Sequence, residues 1–205
     1  MYGQVQALAG VSLDVARGEC LGVDGAAGSG RTTLLRILAT LVRPTSGDVV
    51  VDGQDVRAHL FEIRKRVTFV SATSIVGDRL LVEEHARFVA ETRTVNRNGG
   101  VAASVRQALR RAGLAPGARL ESLGSSDRMA LALTTGLLAK ADILLLDEPF
   151  RPLVGSRRAL FGEWLTEVNA AGTTMVIATG DDDDARRLCK RVLRLAAGTV
   201  VEEPS

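Results

Sequence analysis

Residues 25–33 read Gly-Ala-Ala-Gly-Ser-Gly-Arg-Thr-Thr and follow a short stretch, residues 19–23, that reads as a buried strand. Glycines at 25, 28 and 30 let a backbone wrap around a compact anion with its N–H groups turned inward. Leu34, Leu35, Leu38, Leu41 and Val42 then fall on one helical face, predicting a helix that runs until Pro44. Its N-terminal dipole would face the same anion. The pattern is that of a phosphate-binding loop, in which a lysine normally lies between the β- and γ-phosphates and a hydroxyl ligates Mg²⁺. Here Gly25, Gly28, Ser29 and Gly30 supply the wrap, Arg31 stands in the lysine position, Thr32 in the metal position, and Thr33 follows. A guanidinium is broad and planar where an ammonium is compact, so weakened phosphate binding is expected. Without its lysine the pattern also allows a glycine-rich turn with no ligand.

A second motif narrows the choice. Residues 143–146, Ile-Leu-Leu-Leu, form a continuous apolar run typical of a parallel strand covered on both faces, and Asp147, Glu148 and Pro149 follow. Acids at the end of such a strand place Asp147 on or beside the metal and Glu148 where a water could attack the γ-phosphate. The competing reading is a strand that merely ends in acids. Loop and acids within one chain favour the nucleotide site, with Glu148 as the candidate catalytic residue and Thr32 and Asp147 as candidate metal ligands.

Strand-like and helix-like stretches alternate along the rest of the chain. Val11, Leu13 and Val15 alternate with Ser12 and Asp14; residues 49–51, 67–70 and 173–179 read as strands, and 192–195 with 199–201 as a hairpin around Gly198. Residues 82–113 read as helix broken at 96–100, residues 127–139 and 185–191 as helices, and Leu160, Phe161, Trp164, Leu165 and Val168 stripe another. This alternation predicts an α/β fold with a mainly parallel core sheet, an antiparallel β portion and an inserted helical subdomain at about 75–140. At 205 residues one domain, 1–205, is expected.

Composition excludes several classes. Aromatics are 3%, too few for a platform that stacks single-stranded nucleic acid, and a net charge of +2 is too mild to argue for DNA; no nucleic-acid partner is expected. No apolar run approaches the ~18 residues of a membrane span, so a membrane role would come through a partner. Cys20 and Cys189 lack metal-ligand spacing and read as free, buried thiols in a reducing cytoplasm. The acids at 181–184 suggest helix capping rather than a metal site.

With both motifs in hand, the chain resembles the ATP-binding subunit of an ABC transporter, a P-loop NTPase, across nearly its whole length. The resemblance includes residues 7–13 before the loop, 34–38 after it, Arg43-Pro44-Thr45-Ser46-Gly47, Val51-Asp52-Gly53, residues 144–149, Gly172-Thr173-Thr174 and residues 188–192. Ala39-Thr40-Leu41 is similar to the drug- and polysaccharide-exporter branch. The resemblance implies ATP and Mg²⁺ as ligands, with Tyr2 stacked on adenine. It implies a second cassette facing this one head to tail, as a heterodimer or alternatively a homodimer, and transmembrane domains as partners at the cytoplasmic face of the membrane. It also implies a strand ahead of Tyr2 that the sequence does not contain, so that the start is either short or trimmed.

Departures from the family pattern shape the functional expectation. Ala72 stands where the family has a γ-phosphate-sensing glutamine, and Gly180 where it has a phosphate-clamping histidine. His59 and His85, read as lying on surface segments, do not replace that histidine. The signature motif becomes Leu123-Gly124-Ser125-Ser126-Asp127, with a hydroxyl lost at Gly124 and a like charge brought toward the opposite γ-phosphate by Asp127; an expected aspartate falls at Val154. The resemblance thus implies a degenerate subunit that binds ATP with Mg²⁺ and hydrolyses it slowly or not at all. A slow but genuine transport ATPase, and a non-transport regulatory module, are the alternatives.

Overall fold

The computed structural model describes residues 6–75, 79–93 and 101–202. Five strands run parallel in the order β4 (Val67–Val70), β5 (Ile143–Asp147), β6 (Thr174–Thr179), β1 (Cys20–Asp24) and β7 (Arg191–Ala196). The last strand, β8 (Thr199–Glu202), turns back antiparallel on β7. A separate two-stranded antiparallel ribbon joins β2 (Val50–Val51) to β3 (Gln54–Asp55).

The apolar runs are continuous because both faces of the sheet are covered, and the period of two sorts their residues. Leu144, Leu146, Met175 and Ile177 join a core with Met129, Leu131 and Leu133 of α5 (Ser125–Leu138) and Phe161 and Leu165 of α6 (Ser156–Ala170). That core continues into Val82 and Ala86 of α3 (Val82–Arg93) and Val105 and Leu109 of α4 (Val101–Arg111). On the opposite face Leu21, Val23, Leu145 and Val176 pack with Leu34 and Leu35 of α1 (Arg31–Leu38) and Ile63 of α2 (Leu60–Arg66). The expected break at 96–100 falls outside the described residues.

Four local expectations change. Helix α1 stops at Leu38 rather than near Pro44, because Thr40 adopts a positive φ of 61°, and Leu41 is 59% exposed instead of completing the apolar face. Val11, Leu13 and Val15 are half-buried against the second core while Ser12 and Asp14 are exposed, yet this stretch pairs with no strand among the described residues. Helix α7 spans Asp182–Leu188, earlier than expected, because the Asp181 carboxylate accepts from the Asp183 N–H and caps its start. His85 is buried at 2% exposure, not on a surface segment. Cys20 and Cys189 are free and buried, with their sulfurs in contact. No helix among the described residues is long and apolar enough to cross a membrane.

Candidate functional site

Strands β5, β6 and β1 are neighbours running the same way, so residues leaving their carboxyl ends meet at one edge of the sheet. From β1 comes the glycine loop, from β5 Asp147 and Glu148, and from β6 Gly180.

The loop is tight where its glycines sit. A Cβ at Gly25 would lie 2.3 Å from the Leu195 carbonyl, and one at Gly30 would lie 2.5 Å from the Ala7 carbonyl. Both also have positive φ, 155° and 106°, which glycine adopts without strain. Gly30 caps α1 in the left-handed conformation, so the first N–H groups of that helix have no side-chain cap. Gly28 faces open space. The Ser29 carbonyl accepts from the Gly198 N–H at 3.0 Å, tying the loop to the β7–β8 turn. Beside it lies a cleft of about 650 Å³ lined by residues 24–29, Gly180 and residues 194–197.

Two buried polar atoms here have no partner: Ser29 Oγ and Arg31 Nη1. Ser29 lines that cleft and Arg31 lies against Gly180 at its edge, and orphaned polar atoms so placed are the kind of group that a polar ligand satisfies. The other guanidinium nitrogen is engaged: Arg31 Nη2 donates to Glu148 Oε1 at 2.5 Å. Glu148 is held from its other side as well, Oε2 accepting from the Gly180 N–H at 3.3 Å. Its backbone has a φ of 50°, and its N–H donates to the Ala178 carbonyl at 2.8 Å.

Thr32 Oγ1 donates to Asp147 Oδ1 at 3.1 Å, so the two candidate metal ligands are in contact. Burial raises the Asp147 carboxyl above the ordinary range, partly opposed by the Thr32 hydrogen bond. Two oxygen donors side by side, one an acid that burial disfavours as an anion, suit a hard divalent cation. Thr33 sits in the first turn of α1, and Tyr2 lies outside the described residues.

The residues expected to depart from the family pattern also have definite places. Ala72 follows β4, two residues beyond Val70, whose register partner is Leu146 on β5. Gly124 caps α5, and Asp127 in its first turn is paired with Arg157 Nη1 at 2.6 Å. The charge expected to oppose a facing phosphate is therefore partly neutralised, by a residue that sequence reasoning did not single out. Val154 is 73% exposed. Of the acids at 181–184, Asp181 caps α7, and Arg158 bridges Asp181 at 2.9 Å and Asp184 at 2.6 Å. Nothing local in sequence signals Arg157 or Arg158, since each pairs with acids more than 20 positions away.

Comparison with known proteins agrees with this architecture. The pattern of the ABC transporter family matches residues 8–151. A sulfate/thiosulfate import ATP-binding protein of Rhizobium meliloti (strain 1021) is 31% identical over 97% of this chain and 59% of its own length. The chain therefore spans less than two thirds of that relative. A probable sulfate/thiosulfate import ATP-binding protein of Chlorella vulgaris is 30% identical over 98% of this chain and 86% of its own length. A daunorubicin resistance ATP-binding protein of Streptomyces coeruleorubidus is 31% identical over 98% of this chain and 64% of its own length. Among solved structures, a dimeric post-hydrolysis ATP-binding cassette bound to ADP and Pi superposes with a TM-score of 0.90 at 24% identity, covering 98% of this chain and 91% of that one. At that identity the likeness speaks for the fold.

Proposed function

The chain belongs to the ABC transporter family as an ATP-binding cassette, and from that premise we propose that it binds ATP with Mg²⁺ and hydrolyses it slowly or not at all. In this reading it is the weakened member of a pair of cassettes, a single domain with its helical portion at about 75–140. It works beside transmembrane domains at the cytoplasmic face. Ala39-Thr40-Leu41 supports the exporter direction, which the sense of flux in vesicles carrying the assembled transporter tests.

Binding is supported by the cradle. Gly25, Gly28 and Gly30 leave the backbone free to approach phosphate, Ser29 Oγ and Arg31 Nη1 lack partners, and the start of α1 presents N–H groups to an anion. Thr32 and Asp147 would hold Mg²⁺, which supplies positive charge to the phosphate oxygens when bound.

The observation that carries slow turnover is the 2.5 Å pair between Arg31 and Glu148. One carboxylate oxygen of Glu148 is taken by the guanidinium and the other by the Gly180 N–H, which leaves neither free to accept a proton from an attacking water. Ala72 and Gly180 add no polar side chain to place that water or to stabilise charge on the terminal phosphate. Each missing contact of this type costs about 10²–10³ in rate. We expect the purified chain to bind a non-hydrolysable ATP analogue in the presence of Mg²⁺. We also expect ATP turnover at background, unchanged by Glu148→Gln. Brisk turnover that collapses in Glu148→Gln would show a working ATPase instead.

A further inference from the structure

The backbone at position 180 does not require glycine. Unlike Gly25 and Gly30, Gly180 does not have a left-handed φ, so an ordinary residue could adopt its conformation. The space beside it is taken by the Arg31–Glu148 pair. A Cβ there would lie 3.3 Å from Arg31 Nη2, 3.5 Å from Arg31 Nη1 and 3.5 Å from Glu148 Oε1. The guanidinium thus lies against the face of Gly180 that a side chain would fill. It is nearly buried there, with Nη2 on Glu148 and Nη1 unsatisfied.

A flat guanidinium needs width that a compact ammonium does not. We propose that Gly180 is a positioning residue for nucleotide binding: having no side chain, it keeps open the slot from which Arg31 Nη1 takes a phosphate oxygen. The proposal rests on the reading of residues 25–33 as a nucleotide cradle. It makes positions 31 and 180 one coupled adaptation rather than two separate losses. A bulky side chain at 180 displaces the guanidinium, and with it the phosphate contact. The same side chain in a chain carrying lysine at position 31 has nothing broad to displace.

The test is a double-mutant cycle on the purified chain with a fluorescent, non-hydrolysable ATP analogue and Mg²⁺. It compares the wild type, Gly180→Val, Arg31→Lys and the double variant, each also followed by thermal unfolding. We expect Gly180→Val to weaken binding about tenfold or more beside Arg31. In the Arg31→Lys background the same change should cost less than about twofold, the scatter of independent sites. Gly180→Ala should fall between wild type and Gly180→Val, because the atoms its Cβ meets are the far ends of flexible side chains. Equal losses in both backgrounds overturn the coupling. If none of the four proteins binds the analogue, the nucleotide reading fails and takes the phosphate contact with it. Unfolding then decides the slot alone: a lower Tm for Gly180→Val only beside Arg31 sustains it, and equal shifts overturn it.

Discussion

Two arginine–carboxylate pairs occupy motifs that would face nucleotide, and they differ in what surrounds them. Arg31 and Glu148 are 10% and 23% exposed, and one guanidinium nitrogen is buried without a partner. Arg157 and Asp127 are 24% and 41% exposed, and Arg157 also reaches Ser126 Oγ at 3.2 Å and the Gly113 carbonyl at 3.2 Å. The first pair is enclosed and under-satisfied, with one donor left over beyond the pair itself. The second is better satisfied and open to water, which screens its attraction. The chemistry is the same, but the enclosed pair joins the glycine loop to the end of β5 and the open one ties α5 to α6.

The largest effect should come from cutting the enclosed pair. Arg31→Ala should weaken binding of the Mg²⁺–ATP analogue by at least about thirtyfold, the low end for truncating one member of a buried charge contact. Arg157→Ala should leave the affinity of the isolated chain within about twofold. Titration by fluorescence checks both, and comparable losses would erase the distinction.

Asp147→Asn should next remove most of the Mg²⁺ dependence of binding, a loss of about tenfold or more. It should also stabilise the nucleotide-free protein at neutral pH. Burial raises the folded-state pKa of Asp147, so its ionisation opposes folding above that value, and the penalty fades as pH falls through it. Urea unfolding of wild type and variant should therefore converge as the pH is lowered from neutral toward the ordinary carboxylate range. A gap that widened on acidification would contradict the assignment.

Asp181→Ala removes a helix cap and one of the two acids on Arg158, and should cost about 0.5–2 kcal/mol in denaturant unfolding with little change in binding. Arg157→Ala should have the smallest effect on stability, at most about 1 kcal/mol, and it should shrink further in high salt. A larger cost would place that pair with the enclosed one.

Much of the fold could be read along the chain because the apolar runs report their own coverage. Residues 143–146 read as a strand and are one, since an unbroken apolar run requires a partner on each face, and residues 67–70, interrupted only by the buried Thr68, are a strand as well. Errors gathered where local geometry overrides periodicity. Leu41 has helical spacing, but the positive φ at Thr40 has already ended α1. His85 is polar, but its place on α3 puts it in the interior. At the site, the glycine loop and the Asp147–Glu148 step were legible as motifs, because tight turns and strand-end acids are local in sequence.

The amino-acid sequence alone determined an α/β cassette with a phosphate-type loop, and it carried the expectation of departures at Arg31, Ala72 and Gly180. Those follow from side-chain identity and short-range spacing. Only the tertiary structure decided which of those residues touch. Arg31 and Glu148 are 117 positions apart, and Gly180 lies 32 beyond Glu148. They meet because β6 lies between β1 and β5 in a parallel sheet, which delivers the three strand ends to one edge. Strand order in such a sheet is set by long-range packing, so no local pattern announces that the guanidinium, the carboxylate and the bare glycine share one small space.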